Sequence, residues 1–569
     1  MKIAQRTLAL VTLALLLAAG KPLRAANTPA AGAADAAAEA RAAASADPLL
    51  EALLTELERS KAQLKMEQVQ APYYIEYRVH DVHDCYVEAA FGAAREEQNM
   101  RGRVLRVVVR VGDYKQDSFI GQGIGETAYL PLDNDPIALR RQIWLATDEA
   151  YKAAGESLTE KQAYMKQFAA DANPVDDFAR ATPVTAVGPL VALGADGAAW
   201  RKTLEDATSL YREYPAVQSL TGSARFTAVN EYFVNSEGTV MRSGRTTYTV
   251  TIGGFTQAGD GMRLARSPYW TVGRPEELPA RAALLADTKK TLETLVALRE
   301  APIAEEEYRG PVLFAADAAD DMFAGLVGEN ILGRKPQPGS PKRTTGAFDT
   351  SYKARVLPAF LTVVDDPTAK QFQGKSLVGS YEVDSEGVRA QAVTAVDKGI
   401  LASYLLGRLP IRDFPASNGH GRTGPGGIPQ PSIGNLFIRT SQPQAAAALR
   451  QQVLEMVRAQ GKPYGYRVDT LGPGNSPRLL YRLYEKDGHE ELIRGAVFSE
   501  LDIRTLRNNL IAAGDDPLVS NRASGLPAAV ISPSVLFDEL EVKRADTSKD
   551  KLPDYPPPPF ASAAASTKK

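Results

Sequence analysis

The alternation of apolar and polar residues predicts mixed helices and strands in the first half of the chain. Leu50, Leu53, Leu54 and Leu57 recur at helical spacing just after Asp47, a residue type that caps helix N-termini. Runs of β-branched and aromatic residues predict strands, and longer periodic stretches predict helices. The predicted strands span 73–79, 85–91, 104–111, 224–234 and 246–255, and the predicted helices span 137–170, 200–214 and 278–299.

The pattern changes near residue 300. A helical stretch ends at Ala301-Pro302, and beyond it a strand at 312–314 and a helix at 317–332 are followed by short strand-like segments separated by Gly, Pro or Asp. We therefore predict an α+β N-terminal domain over 47–300 and a mostly β C-terminal domain over 301–546. The fold class is α+β, without a regular βαβ series.

The two ends of the chain differ in composition from this globular part. Residues 1–25 have the basic start and short apolar core of a secretory signal peptide, although an uncleaved membrane anchor is an alternative. Residues 26–46 form an Ala-rich linker, and residues 547–569 form a Pro, Ala and Lys tail that we predict to be disordered. We expect a periplasmic or secreted protein with no membrane span once the signal is cleaved.

Charge and cysteine content exclude some classes of partner and bond. Lys and Arg total 66 against 68 Asp and Glu, so a net charge of −2 gives no overall field that would attract nucleic acid. We expect no nucleic-acid partner. Cys85 is the only cysteine, so no disulfide can form within the chain.

Histidine usage argues against the commonest zinc motifs. The chain has four histidines, and none of them belongs to an HExxH or HExxxH arrangement. His80, His83 and Cys85 lie close together, but on a strand His80 and His83 point to opposite faces. A turn at Asp81 could bring them together, yet polar residues at a strand end are the simpler interpretation.

A glycine-rich segment at 419–424 has the letters of a dinucleotide-binding loop. It is followed by Pro425-Gly426-Gly427 and not by a helix, whose N-terminus the phosphates would need. A flexible or substrate-lining loop is therefore predicted.

Several stretches, in order, resemble one known family. The residues 362–368 (TVVDDPT), 379–381 (GSY), 384–388 (DSEGV), 418–422 (NGHGR), 493–496 (IRGA) and 532–542 (SPSVLFDELEV), with the NSEGT turn at 235–239, are similar to TldD/PmbA proteins, also called modulators of DNA gyrase. The resemblance covers most of 305–544. It implies a two-domain metallopeptidase-like architecture.

The resemblance also implies a zinc site that this chain lacks. The resemblance implies that active members of the family are metallopeptidases with an HExxxH motif on a helix and a metal-binding cysteine later in the chain. In this chain Ala324 stands at the position of the first His, Gly325 at the Glu and Glu329 at the second His. No cysteine follows residue 85. Glu329 alone leaves a metal without its usual three protein ligands, so we expect neither metal nor other cofactor. Glycine inside a helix costs about 1 kcal/mol of stability relative to alanine. Gly325 is therefore explained either by a packing requirement or by the loss of chemical demand on this position.

Three functions follow as hypotheses. The first is a non-catalytic subunit that binds peptide and pairs with a TldD/PmbA paralogue as a hetero- or homodimer, as in the family's pairs where one subunit lacks the metal motif. The second is an active peptidase with a rebuilt site, and the third is a structural envelope protein. The possible cleft residues are Glu329, Asp365, Asp366, His420 and Arg422, although Asp365 and Asp366 could equally cap a turn.

Overall fold

The structure is a computed structural model that describes Ala42 and residues 46–552, apart from residues 68, 120–124, 169–174, 473 and 475. The predicted signal peptide over 1–25 lies outside the described residues. So do the predicted linker over 26–46, except for Ala42 and Ala46, and residues 553–569 of the predicted tail. Within the part of the chain that is described, no helix is long and apolar enough to cross a membrane.

One large sheet organises the first half of the chain. Its strands are β1 (Tyr74–Ala90), β2 (Ala93–Arg110), β3 (Glu126–Leu130), β4 (Thr185–Val187), β5 (Ser219–Asn235), β6 (Val240–Gln257), β7 (Arg263–Arg266) and β8 (Tyr269–Val272). Their order is β3-β2-β1-β5-β6-β4, and β7 and β8 both pair with β6. The long strands β1, β5 and β6 are antiparallel neighbours and form the centre of the sheet.

Four helices cover this sheet: α1 (Pro48–Gln63), α2 (Pro136–Met165), α3 (Gly197–Ser209) and α4 (Arg281–Glu300). The side chain of Asp47 accepts hydrogen bonds from the amides of Leu49 and Leu50, which confirms the predicted cap. The leucines of α1 pack with α2 and β1 in one apolar cluster, while α3 and α4 contribute to another. The predicted helices at 137–170, 200–214 and 278–299 were right in kind and differ only at their ends.

The prediction of two separate strands at 73–79 and 85–91 was wrong, because both belong to the single strand β1. Residues between them pair without a break: His80 is opposite Val104 of β2 and opposite Glu231 of β5. His80 therefore lies within a central strand and not at a strand end. The polar residues are tolerated there because they have partners, as when Asp84 accepts hydrogen bonds from Arg225 and Thr227.

The described residues of the second half form many short strands and three further helices. The strands are β9 (Glu307–Phe314), β10 (Leu361–Asp365), β11 (Gln371–Phe372), β12 (Lys375–Ser376), β13 (Val393–Asp397), β14 (Ile400–Leu401), β15 (Gly421–Arg422), β16 (Gln430–Pro431), β17 (Asn435–Thr440), β18 (Pro443–Gln444), β19 (Tyr464–Leu471), β20 (Pro477–Tyr484), β21 (Glu490–Ile493), β22 (Ala496–Phe498), β23 (Leu510–Gly514), β24 (Leu518–Arg522), β25 (Ala528–Ser532) and β26 (Val535–Arg544). The helices are α5 (Ala316–Phe323), α6 (Ala446–Ala459) and α7 (Ile503–Asn509).

Two sheets enclose the core of this half. One has the order β14-β13-β10-β17-β25-β24, and the other has the order β18-β23-β26-β9-β19-β20-β21 with β22 paired to β26. Helix α5 contributes Met322 and Phe323 to the largest buried apolar cluster, together with residues of both sheets. The α+β class with a mostly β second half is as predicted.

The predicted helix over 317–332 was wrong in its length. Helix α5 ends at Phe323, and a π-helical turn follows from Ala324 to Gly328, in which the amide of Glu329 bonds the carbonyl of Ala324. Two glycines fall in this turn, and glycine is a weak helix former. Single π turns of this kind occur often at functional sites.

Candidate functional site

A cavity of about 700 Å³ lies between the first sheet and the second half of the chain. Its floor is one face of the sheet, because every second residue along a strand points to the same side. The floor residues of the two central strands are Ser223, Arg225, Thr227 and Val229 of β5, and Arg245, Thr247, Thr249 and Thr251 of β6. Its roof consists of Asp321 of α5, the Gly424-Pro425 segment and the residues from 522 to 527.

An ion pair joins two elements of the roof. Nη2 of Arg522, the last residue of β24, lies 2.8 Å from Oδ1 of Asp321 on α5. Asp321 stands one turn before Ala324, so the guanidinium is held beside the helix that the family resemblance identifies as the metal-binding one. Sequence reasoning missed both residues.

The positions that correspond to the family's metal ligands do not fit zinc. Ala324 is half-buried and Gly325 is exposed, and neither has a side-chain atom that can bind a metal. The carboxylate of Glu329 is 62% exposed and pairs with Arg334 at 3.0 Å. Within the described ranges, no group of three or more His, Cys, Asp or Glu residues is placed to hold a metal ion.

Two further acids lie on α5 beside this region: the side chain of Asp320 is buried, whereas Asp317 is exposed. Burial raises the pKa of Asp320 well above its usual value, and partial desolvation together with the neighbouring Asp321 carboxylate raises the pKa of Asp317. Both shifts favour the protonated carboxyl. A proton on these groups competes with a metal ion for the same oxygens.

The structure brings Asp365 and His420 together, away from the cavity lining. Nε2 of His420 lies 3.1 Å from Oδ1 of Asp365, and both side chains are fully buried. The amide of Gly434 donates to the same carboxylate at 3.0 Å, and Nδ1 of His420 lies 3.1 Å from the carbonyl oxygen of Asn418. These contacts hold the segments around His420 and Gly434 against the end of β10. In the described part of the chain, the carboxylate of Glu329 accepts a hydrogen bond from Arg334 and does not contact this pair.

Asp366 and Arg422 have structural contacts. Oδ1 of Asp366 accepts a hydrogen bond from the amide of Thr368 at 3.0 Å, so Asp366 caps a turn. A turn cap was one of the two interpretations of this residue from the sequence. Arg422 is buried and its Nη2 donates to the carbonyl of Pro527 at 2.7 Å. Arg422 thereby supports the segment that forms the roof of the cavity.

The hydroxyl-rich floor was also missed from the sequence. A signal for it exists, because Arg245, Thr247, Thr249 and Thr251 alternate along one strand in a pattern typical of a polar sheet face. The pattern says nothing about what covers that face. The roof formed by Asp321, Gly424-Pro425 and residues 522–527 makes it a cavity.

The fold and the cavity define the class of protein: an α+β protein in two parts. A cleft large enough for a ligand lies on the sheet of the first part and is covered by the mostly β second part. Residues 307–544 match the sequence family described as "PmbA/TldA metallopeptidase C-terminal domain". Over these residues the resemblance to the TldD/PmbA family is confirmed.

Two curated archaeal relatives are named "Metalloprotease". The one from Archaeoglobus fulgidus is 25% identical over 121 residues, which is 21% of this chain and 27% of that protein. The one from Methanothermobacter thermautotrophicus is 24% identical over 176 residues, which is 31% of this chain and 36% of that protein. The matches thus span only about a quarter to a third of these relatives.

Solved structures share the fold over most of the chain. A protein from Thermotoga maritima described as a modulator of a DNA gyrase has a TM-score of 0.55 at 14% identity, covering 82% of this chain and 96% of that one. TldE from Thermococcus kodakarensis has a TM-score of 0.54 at 13% identity, covering 83% and 96%. A protein from Bacteroides thetaiotaomicron described as a modulator of DNA gyrase has a TM-score of 0.56 at 13% identity, covering 87% and 98%.

Proposed function

We propose that this protein is an exported, non-catalytic member of the TldD/PmbA family that binds extended peptides in the cavity and pairs with a metal-carrying paralogue. One observation carries the proposal: Ala324 and Gly325 stand at the first His and the Glu of the family's metal motif, and neither has a side-chain donor atom.

Loss of catalysis follows from the chemistry that a zinc hydrolase requires. Such a site needs three protein ligands and commonly a carboxylate that takes a proton from the metal-bound water. Ala324 and Gly325 can supply neither. Arg522 also occupies the carboxylate of Asp321 on the same helix, so that this carboxylate is already paired with a guanidinium.

Peptide binding is supported by the shape and lining of the cavity. A volume of about 700 Å³ is in the range of ligand pockets. The floor presents hydroxyl groups along two long antiparallel strands, and such groups can donate to or accept from the backbone of an extended chain lying across them. A peptide bound in this way would use the inherited cleft without cleavage.

Metal content is the decisive measurement for the loss of catalysis. We expect the full chain, purified alone without chelator, to contain far less than one zinc per chain by mass spectrometry and to leave peptides intact. The variant Glu329→Gln is the matched control. Stoichiometric zinc in the wild type that disappears in Glu329→Gln would replace this proposal with a peptidase whose site is rebuilt around Glu329.

Pairing and export have their own tests. Co-expression with a TldD/PmbA paralogue that retains HExxxH is expected to give a stable complex that contains metal, and native mass spectrometry would report its stoichiometry. Cell fractionation with mass spectrometry of the mature N-terminus tests export. A chain that stays in the cytoplasm with residues 1–25 intact would contradict the exported location.

A further inference from the structure

We infer that the cavity selects extended peptides that carry two carboxylates four residues apart, with Arg225 and Arg245 as the two carboxylate-binding groups. The inference rests on the proposed peptide-binding function and names the class of peptide. It is carried by the placement of two arginines at opposite ends of the same polar floor.

The sheet register sets the distance between these arginines. Arg225 on β5 is opposite Thr249, whereas Arg245 on β6 is opposite Val229. The two residues are therefore on neighbouring strands and four residues apart along them. At about 3.3 Å per residue and about 4.8 Å between strands, their Cα atoms are about 14 Å apart.

Each arginine is oriented by a carboxylate that is itself nearly buried. Nε of Arg225 lies 3.1 Å from Oδ1 of Asp84, and the side chain of Arg225 is 61% exposed while that of Asp84 is 12% exposed. Nη1 of Arg245 lies 3.2 Å from Oε2 of Glu231, with exposures of 29% and 4%. A ligand in the cavity therefore meets the cationic ends more readily than the acidic partners.

The remaining charged residues of the cavity lining add no net charge. Arg522 and Asp321 pair with each other in the roof, and they are the other charged residues of the lining. Between Arg225 and Arg245 lie the hydroxyls of Thr227 and Thr247, and hydroxyl groups suit peptide amides and carbonyls. Towards each end, the cavity thus presents a guanidinium whose acidic partner is less exposed than the guanidinium itself, with neutral polar groups between the two.

The geometry of an extended peptide converts this spacing into a sequence preference. Side chains four residues apart point to the same side of an extended chain and lie about 13 Å apart. Side chains three residues apart point to opposite sides, and those two residues apart reach only about 6.6 Å. Carboxylates at positions i and i+4 can therefore meet both arginines at once.

Fluorescence anisotropy with the full mature chain tests the inference. The probes are fluorescein-labelled Gly-Glu-Ala-Ser-Ala-Glu-Gly, the same peptide with both Glu replaced by Gln, the same with both replaced by Lys, and Gly-Ala-Glu-Ser-Glu-Ala-Gly. We expect the first peptide to bind about tenfold more tightly than the Gln peptide, since two charge-assisted contacts are lost. It should also bind more tightly than the peptide with closer Glu residues.

Protein variants then identify the groups responsible. Arg225→Gln and Arg245→Gln should each reduce the preference for Glu over Gln, and Arg245→Lys should retain part of it. Arg281→Gln is the matched control, because Arg281 is 58% exposed, pairs with Asp206 and lies outside the cavity lining. The peptide series on the wild type does not depend on how any variant folds.

The two possible failures are distinguishable. Equal binding of the Glu and Gln peptides, or a preference that Arg225→Gln and Arg245→Gln leave intact, would overturn the inference while peptide binding itself stands. If none of the four peptides binds, the proposed peptide-binding function fails and the inference falls with it.

Discussion

Nη2 of Arg408 lies 2.8 Å from Oε1 of Glu237, so a buried guanidinium of the second half meets the turn between β5 and β6 in the first. The same guanidinium donates two hydrogen bonds to the carbonyl of Ala179, at 2.9 and 2.7 Å. In that turn, Oδ1 of Asn235 accepts from the amides of Gly238 and Thr239 and holds the loop that presents Glu237. The family-like turn is thus an anchor for the packing of one half on the other.

Removing the Arg408 guanidinium should destabilise the protein strongly. Arg408→Met removes the charged partner of Glu237, which keeps only the neutral donors Tyr114 and Asn235 among the described residues, and it removes both side-chain donors to the carbonyl of Ala179. Breaking a buried ion pair costs about 3–5 kcal/mol. Urea unfolding followed by circular dichroism measures the change. Arg412→Met is the control, because Arg412 is exposed and, among the described residues, donates only to the carbonyl of Pro341. Equal stability of the two variants would contradict an anchoring role for Arg408.

The two glycines at the ends of the glycine-rich loop should differ in their tolerance of alanine. At Gly419 the backbone φ is +78° and a Cβ would lie 2.3 Å from the carbonyl oxygen of Arg389. At Gly424 a Cβ would meet no atom within 4 Å among the described residues. Gly419→Ala should lower the free energy of unfolding by more than about 1 kcal/mol, while Gly424→Ala should change it little. Thermal melting of both variants would check this, and a stable Gly419→Ala would refute it.

The protein should lose stability as the pH falls from about 6.5 to about 4. Burial lowers the pKa of His80 to about 4, so His80 is neutral in the folded state even though Nε2 lies 3.8 Å from Glu231. The unfolded chain takes up this proton near pH 6.5, so unfolding is favoured as the solution is acidified through that window. The expected loss is about 3 kcal/mol.

Urea titrations between pH 4 and pH 7 would measure this slope, and His80→Asn should flatten it. Glu231 acts in the same direction at lower pH. Burial opposes its ionisation, but nearby positive charges, among them those of Arg245 and Arg78, hold the pKa of Glu231 below its usual value. A wild type whose stability is constant from pH 7 to pH 4 would disprove the assignment of His80 as a neutral buried group.

Alanine at Gly325 should stabilise the protein or leave it unchanged. Gly325 is exposed, and a Cβ there would meet no described atom within 4 Å, so packing does not require the glycine. Alanine is the better helix former by about 1 kcal/mol, so Gly325→Ala should raise the free energy of unfolding by up to that amount. Differential scanning calorimetry would measure the gain. A loss of more than about 1 kcal/mol would reveal a packing role.

The sequence by itself determined the local features. It placed α1 and its Asp47 cap, the NSEGT turn and the mostly β character of the second half, because helix capping, turn chemistry and hydrophobic period are set by neighbouring residues. It also determined that Ala324 and Gly325 cannot bind a metal, since that depends only on side-chain chemistry.

Only the tertiary structure decided which faces meet. It joined two predicted strands into β1, because pairing with β2 and β5 runs through the polar residues between them. It buried His420 against Asp365, paired Arg522 with Asp321, and roofed the hydroxyl-rich floor to form a cavity. These contacts join residues far apart along the chain, and no local pattern records which distant segment will cover a given face.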